Sequence, residues 1–145
     1  MLAVIAQQKS HTIVIFRAVI VQRSWQLKIL QVISGKTVNG AMTYCKFISE
    51  QLIALGHEVT ILGRSDGWIK DNVDPRIHFL ASELSRSPSE INRVARWIKD
   101  NQIDVVHTHM SRGHAFGVIL RLMTGVPVVA TAHNRSFQLH WRMND

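Results

Sequence analysis

Lys28–Leu62 reads KILQVISGKTVNGAMTYCKFISEQLIALGHEVTIL, and its hydrophobic period changes twice along the way. Lys28–Ile33 is a short apolar run closed by Ser34-Gly35, the pattern of a buried strand. Across Asn39–Leu55 the residues Ala41, Tyr44, Cys45, Ile48, Leu52 and Leu55 recur at helical spacing, and Gly56 stands where a helix C-terminal glycine belongs. His57–Leu62 returns to a strand that ends at Gly63. Two strands joined through a helix run parallel, because the connection carries the chain back to the same end of the sheet.

The alternation continues downstream. Asp66-Gly67 and Asp74-Pro75 mark turns in a polar stretch, and Arg76–Leu80 is predicted as a short strand. Ser87-Pro88-Ser89-Glu90 supplies a helix cap, a first-turn proline and the returning Glu of a capping box. Ile91, Val94, Ala95 and Ile98 form the buried stripe of that helix. Ile103–His107 is the next strand and Arg112–Thr124 the next helix, with Ala115, Phe116, Ile119, Leu122 and Met123 as its apolar stripe. Gly125 ends it, and Val126–Thr131 makes a last strand. Strands that read as continuous apolar runs, separated by helices, predict an α/β fold: an open parallel sheet with helices on both faces.

The chain has 145 residues, 46% hydrophobic and 19% charged, which fits one domain and excludes disorder as a global description. A chain of this size buries roughly two-thirds of its unfolded surface and folds without staples. Cys45 is the only cysteine, which excludes a disulfide framework and a cysteine zinc cage and fits a reducing compartment. It falls mid-helix on the buried stripe and reads as core, and no Ser/His/Asp or Cys/His arrangement is legible.

The net charge is +7, but no Lys/Arg run occurs and acidic side chains are interspersed. That favours a solvated basic surface; a mild attraction to phosphate-bearing ligands or an anionic membrane face is the other reading. Nucleic-acid binding is disfavoured, because basic and aromatic residues do not interleave. Residues 1–27 lack the regular pattern. Thr12–Val21 is about half the roughly 20 residues that span a bilayer, Arg17 interrupts it, and no small-x-small cleavage site follows. The division expected is an extension outside the fold over residues 1–27 and a domain over 28–145.

In open parallel sheets, ligands bind beyond the carboxyl ends of the strands. Those positions here are Ser34–Gly40, Gly63–Asp66, Thr108–Gly113 and Ala132–Ser136. Ser34–Gly40 opens a helix, where glycines admit a close ligand and free N–H groups suit an anion; its spacing matches neither a dinucleotide fingerprint nor a Walker loop. A tight strand-to-helix turn with no ligand explains the same residues. His107-Thr108-His109 puts two imidazoles on one face of a strand end, a possible start of a metal site. However, Met110, Ser111 and Arg112 follow rather than a carboxylate, so no metal is expected. His107 reads as a satisfied buried histidine, and His109, past the strand end, as a hydrogen-bonding partner for a ligand. His133 follows the last strand and projects towards the crevice, with Asn134 and Arg135 able to reach polar or anionic groups. A turn or capping role for Asn134, with His133 merely exposed, remains the other reading.

Three features together resemble the N-terminal half of a family-4 glycosyltransferase of GT-B architecture. They are the Gly-containing loop and helix ending in LGHEVTIL, the D-V-V-H-x-H of Asp104–His109, and the G-V-P-V-V-x-T-x-H of Gly125–His133. The resemblance runs from Lys28 to about Arg135. It implies a Rossmann-like domain, half of a two-domain enzyme that transfers a sugar from a nucleotide-sugar donor to an acceptor hydroxyl with retention, without a metal or other cofactor. It implies that Asn39 and Gly40 approach donor phosphates and acceptor, that His133 is the active-site histidine, and that His109 lines the acceptor side, with Ser111, Asn134 and Arg135 among the substrate contacts. Asn39-Gly40 stands where the family carries paired glycines, a place where Asn tolerates positive φ. A sugar or lipid-linked acceptor, a donor-binding domain acting in trans and peripheral contact with an anionic membrane are the partners implied, in the cytoplasm or at the inner membrane face. With no donor domain before Asp145, the chain is expected to be incomplete and to lack appreciable activity alone. The competing class is a non-catalytic ligand-binding α/β module.

Overall fold

The computed structural model describes residues 26–133. Its elements are β1 (Lys28–Ile33), α1 (Gly40–Ala54), β2 (Glu58–Gly63), a 3-10 turn (Trp68–Asp71), β3 (His78–Ala81), α2 (Pro88–Asp100), β4 (Val105–His109), α3 (Met110–Thr124) and β5 (Val128–Thr131). The five strands pair in parallel in the order β3-β2-β1-β4-β5. The order reverses between β1 and β4, so the connections leaving these neighbours diverge and open a crevice above their carboxyl ends.

Alternation along β1 assigns the two faces. Leu30 and Val32 face α2 and α3 and pack with Leu62, Val94, Ile98, Val106, Phe116 and Leu120. Ile29 and Ile33 face α1 and pack with Met42, Cys45, Val59, Ile61 and Ile69. Helices therefore cover both faces, as the sequence predicts. Gln31 interrupts the α1 side of this strand yet is fully buried, in register with Ile61 on β2 and His107 on β4.

Several local expectations shift, each for a physical reason. The buried stripe of α1 is Ala41, Met42, Cys45 and Ser49, which turns Tyr44 and Leu55 outward. Asn39 sets this rotation: its side chain accepts from the Met42 N–H at 3.1 Å, and Met42 then packs against Gly35, where a Cβ would come within 2.8 Å of its sulfur. Along α3 the buried residues are Gly113, Phe116, Gly117 and Leu120, while Leu122 and Met123 are exposed. Gly113 and Gly117 carry the closest helix-to-sheet approach, so Phe116 of the expected stripe packs inward while Leu122 and Met123 turn out. Ser87 caps α2 by accepting from the Glu90 N–H at 3.4 Å, with Pro88 in the first turn. Glu90 does not return to close a capping box; its carboxylate takes the Ser82 hydroxyl and the Arg93 guanidinium instead. Replacing Ser87 by Ala leaves one helix donor without its acceptor and is expected to lower stability by about 1 kcal/mol, measured by urea unfolding.

Residues 1–25 of the expected extension lie outside the described residues. Leu27 is described and already joins the fold: its carbonyl accepts from the Glu58 N–H at 2.9 Å and its N–H donates to His57 Nδ1 at 3.2 Å. Among the described residues no helix is long and apolar enough to cross a membrane.

Candidate functional site

Two strand-to-helix junctions build the crevice. After β1 the chain makes an open loop to Asn39, and α1 starts at Gly40. After β4 there is no loop at all, because α3 begins at Met110, directly behind His109. The turn is made within one residue, at Met110, whose φ of 64° lies in the left-handed region and is strained for a side chain with a Cβ. Both helices thus aim their N-terminal N–H groups at one space, and no side chain caps α3.

The space is a cleft of about 790 Å³ bordered by Asn39, Gly40, Tyr44, Ser111, Arg112 and His133, among others. Among the described residues no carboxylate lines it, and Arg112 is the one permanently charged residue there. Gly40 leaves its wall open, since a Cβ there would meet nothing within 4 Å. The β1–α1 loop is braced from the side. Trp68 N–H donates to the Lys36 carbonyl at 2.9 Å, and Gly67 lies so close that a Cβ would sit 3.1 Å from the Gly35 carbonyl oxygen. Ion pairs run along the same edge from Lys36 to Asp66 (3.0 Å), Asp66 to Arg64 (2.9 Å) and Arg64 to Glu83 (2.6 Å). The Arg64 guanidinium, then Lys36, hold the Asp66 carboxyl down at about 2. Exposed pairs of this kind add little stability, so their consequence is loop placement.

Histidines form the floor. His109, the last residue of β4, is fully buried; its Nε2 lies 2.8 Å from Gln31 Oε1 and its Nδ1 lies 3.1 Å from His133 Nε2. His107 lies on the same strand face, its ring 4.3 Å from that of His109, and its Nε2 is 2.7 Å from the Thr131 hydroxyl. Thr108 points to the other face, where its hydroxyl donates to the Val129 carbonyl at 3.2 Å and so accepts from His114 Nδ1 at 2.9 Å. Burial, then the neighbouring imidazoles His107, His133 and His114, push His109 down to about 3. Burial likewise lowers His107 and His114. The three are therefore neutral near pH 7. Tyr44 stands edge-on to His133 at 5.4 Å and to His109 at 6.0 Å between ring centres.

The structure brings Asn39, Gly40, Ser111 and His133 to one cleft, with His109 directly beneath. Asn134 and Arg135 lie outside the described residues. Two sequence expectations change here. Asn39 has φ −155°, extended rather than left-handed, and its side chain is committed to capping α1. His109 is not past the strand end but inside it, because β4 runs over Val105–His109 rather than Ile103–His107; it reaches the cleft through His133. Tyr44 and Gln31 were missed. Helical spacing places Tyr44 on the core stripe and so hides its role, whereas a polar residue in the middle of an apolar strand is itself a signal for Gln31. Cys45 is core as expected, its thiol pushed up to about 12 by burial. Among the described residues no three His, Cys, Asp or Glu side chains are grouped to hold a metal ion.

The sequence model of Glycosyltransferase Family 4 matches residues 38–145, a range that starts within the β1–α1 loop and includes every cleft element after it. No curated protein matches the chain. Among solved structures, a glycosyltransferase from Rickettsia africae ESF-5 is similar over 75% of this chain and 30% of its own, with 22% identity and a TM-score of 0.60. MurG of Acinetobacter baumannii is similar over 72% of this chain and 34% of its own, with 15% identity and a TM-score of 0.59. At such identities the likeness is one of fold. The chain spans about a third of the length of either structure.

Proposed function

Because the chain belongs to glycosyltransferase family 4, we propose that its cleft is the acceptor side of a retaining sugar transfer from a nucleotide-sugar donor. In that reaction the bond from the anomeric carbon to the nucleoside diphosphate breaks. The acceptor oxygen bonds to the same face of the sugar and gives up its proton, and the diphosphate departs. Asn39, Gly40 and Ser111, with Asn134 and Arg135, supply contacts to substrate, and His133 meets the transferring sugar. One observation carries the reading: two helix N-termini, Arg112 and an imidazole converge on a single crevice that no carboxylate lines among the described residues. Such a surface favours a donor's diphosphate and an acceptor's hydroxyls over a cation.

The donor is held by a second lobe, and the reaction needs no metal or other cofactor. The acceptor is a sugar or a lipid-linked sugar. The site of action is the cytoplasm, at the inner membrane face when the acceptor is lipid-linked, where the net charge of +7 favours an anionic surface. The test is an incubation with a panel of nucleotide sugars and acceptors, run with the chain alone and with a donor domain of the family added. Product only in the mixture is expected, and its loss with His133→Ala. Turnover by the chain alone would refute the division of labour. Acceptor binding with no turnover in any mixture would favour the non-catalytic binding module.

A further inference from the structure

His133 is tied into the sheet through two buried partners. Its Nε2 faces His109 Nδ1 at 3.1 Å, and His109 Nε2 faces Gln31 Oε1 at 2.8 Å. Gln31 and His109 are both fully buried, whereas His133 is half-buried at the cleft. A neutral imidazole carries one N–H and one lone pair, and an amide oxygen can only accept. The single proton of His109 is therefore on Nε2, directed at Gln31, and its Nδ1 is left to accept. His133 can satisfy that lone pair only by donating from Nε2. We propose that Gln31 and His109 are positioning residues that fix the proton of His133 on Nε2, so that His133 meets a ligand hydroxyl through Nδ1, as an acceptor.

Two further observations support this order. Among the described residues Gln31 Nε2 has no hydrogen-bond partner, a cost that an apolar residue in this strand would not carry, so the bond to His109 is what a glutamine contributes here. Secondly, the groups around His133 do not compete for its Nε2. Tyr44 of α1 approaches edge-on, and the His109 and His133 rings, 5.3 Å apart between centres and nearly parallel, meet through their nitrogens. His114 of α3 is bound to Thr108 and His107 of β4 to Thr131, while Arg112 of α3 lines the cleft as a donor only. For catalysis the proposal rests on the reading above: an Nδ1 lone pair accepts from a hydroxyl of the transferring sugar. The placement of the proton itself stands without that reading.

The test is nitrogen-15 NMR of the histidine side chains in the full chain at alkaline pH, where protonated and bare ring nitrogens resonate far apart. In the unaltered chain His109 and His133 are each expected to carry the proton on Nε2. Gln31→Glu keeps an acceptor facing His109 Nε2 and is expected to leave the proton of both imidazoles on Nε2. Gln31→Met removes the acceptor and leaves both His133 tautomers populated. A proton on His109 Nδ1 in the unaltered chain overturns the proposal, and so does one unchanged His133 tautomer in all three chains. The unaltered chain decides the first point even where a variant fails to fold. A failed transfer assay would not move these tautomers, and failed tautomers would leave the transfer reaction standing.

Discussion

Acidified below pH 6.5, the chain is expected to lose unfolding free energy at about 1.4 kcal/mol per pH unit from His109 alone. The ordinary histidine value is 6.5, and in the folded chain burial and three neighbouring imidazoles hold His109 at about 3. Between those two values the unfolded chain binds a proton that the folded chain refuses, so acid favours unfolding. The contribution is intact above pH 6.5 and drains away as the pH falls towards 3. His107 and His114 are lowered too and steepen the fall. Carboxylates act in a lower window. Asp66 and Asp74, held at about 2 by Arg64 and Arg76, lose their contribution only as the pH drops from 3.8 towards 2. The upper part of the curve thus belongs to the imidazoles. Urea unfolding at fixed salt across this range, repeated with His109→Asn, measures it: the variant's slope is expected to be shallower by about one proton, and equal slopes would contradict the burial of a neutral His109.

Gly117→Ala is expected to destabilise the chain by about 2 kcal/mol, although alanine is the better helix former. Gly117 lies within α3, and a Cβ there would be 2.5 Å from Thr108 Cγ2 and 3.3 Å from Val128 Cγ1. Thr108 cannot rotate out of the way without breaking its bonds to His114 and the Val129 carbonyl. The helix must lift instead. Overpacking costs about 1–3 kcal/mol, here at the upper end, against roughly 1 kcal/mol of helix propensity regained, so packing wins. Gly40→Ala is the control. Its Cβ enters open space and its φ is not left-handed, so the same change is expected to stabilise by about 0.5 kcal/mol. Thermal unfolding of the two variants should therefore move in opposite directions, and a Gly117→Ala chain as stable as the parent would mean that α3 does not press on β4 as described.

The parallel α/β order was legible because strands buried on both faces read as uninterrupted apolar runs, and because Ser87-Pro88 and Gly125 punctuate their helices at the observed positions. The faces of the helices were harder to read. In α1 Tyr44 and Met42 are both apolar enough for the core, and only the Asn39 cap decides which one turns inward. In α3 two of the four buried residues, Gly113 and Gly117, are glycines, which hydrophobic patterning counts as breaks. The site was legible as a set of loop ends beyond the strands, and its depth was not. A strand that runs straight into a helix, at the cost of a left-handed Met110, buries His109 where an ordinary loop would have exposed it. Gln31, far away in sequence, becomes its partner only through the β1–β4 register.

The most direct test of the crevice as the ligand site is amide chemical-shift mapping of the full chain against soluble hexose phosphates and nucleotide sugars. Shifts concentrated in Ser34–Tyr44, His109–His114 and Thr131–His133 are the expected result. Shifts gathered at the opposite edge of the sheet, around Lys28, Glu58, Trp97 and Asn101, or no shifts with any of these probes, would contradict it.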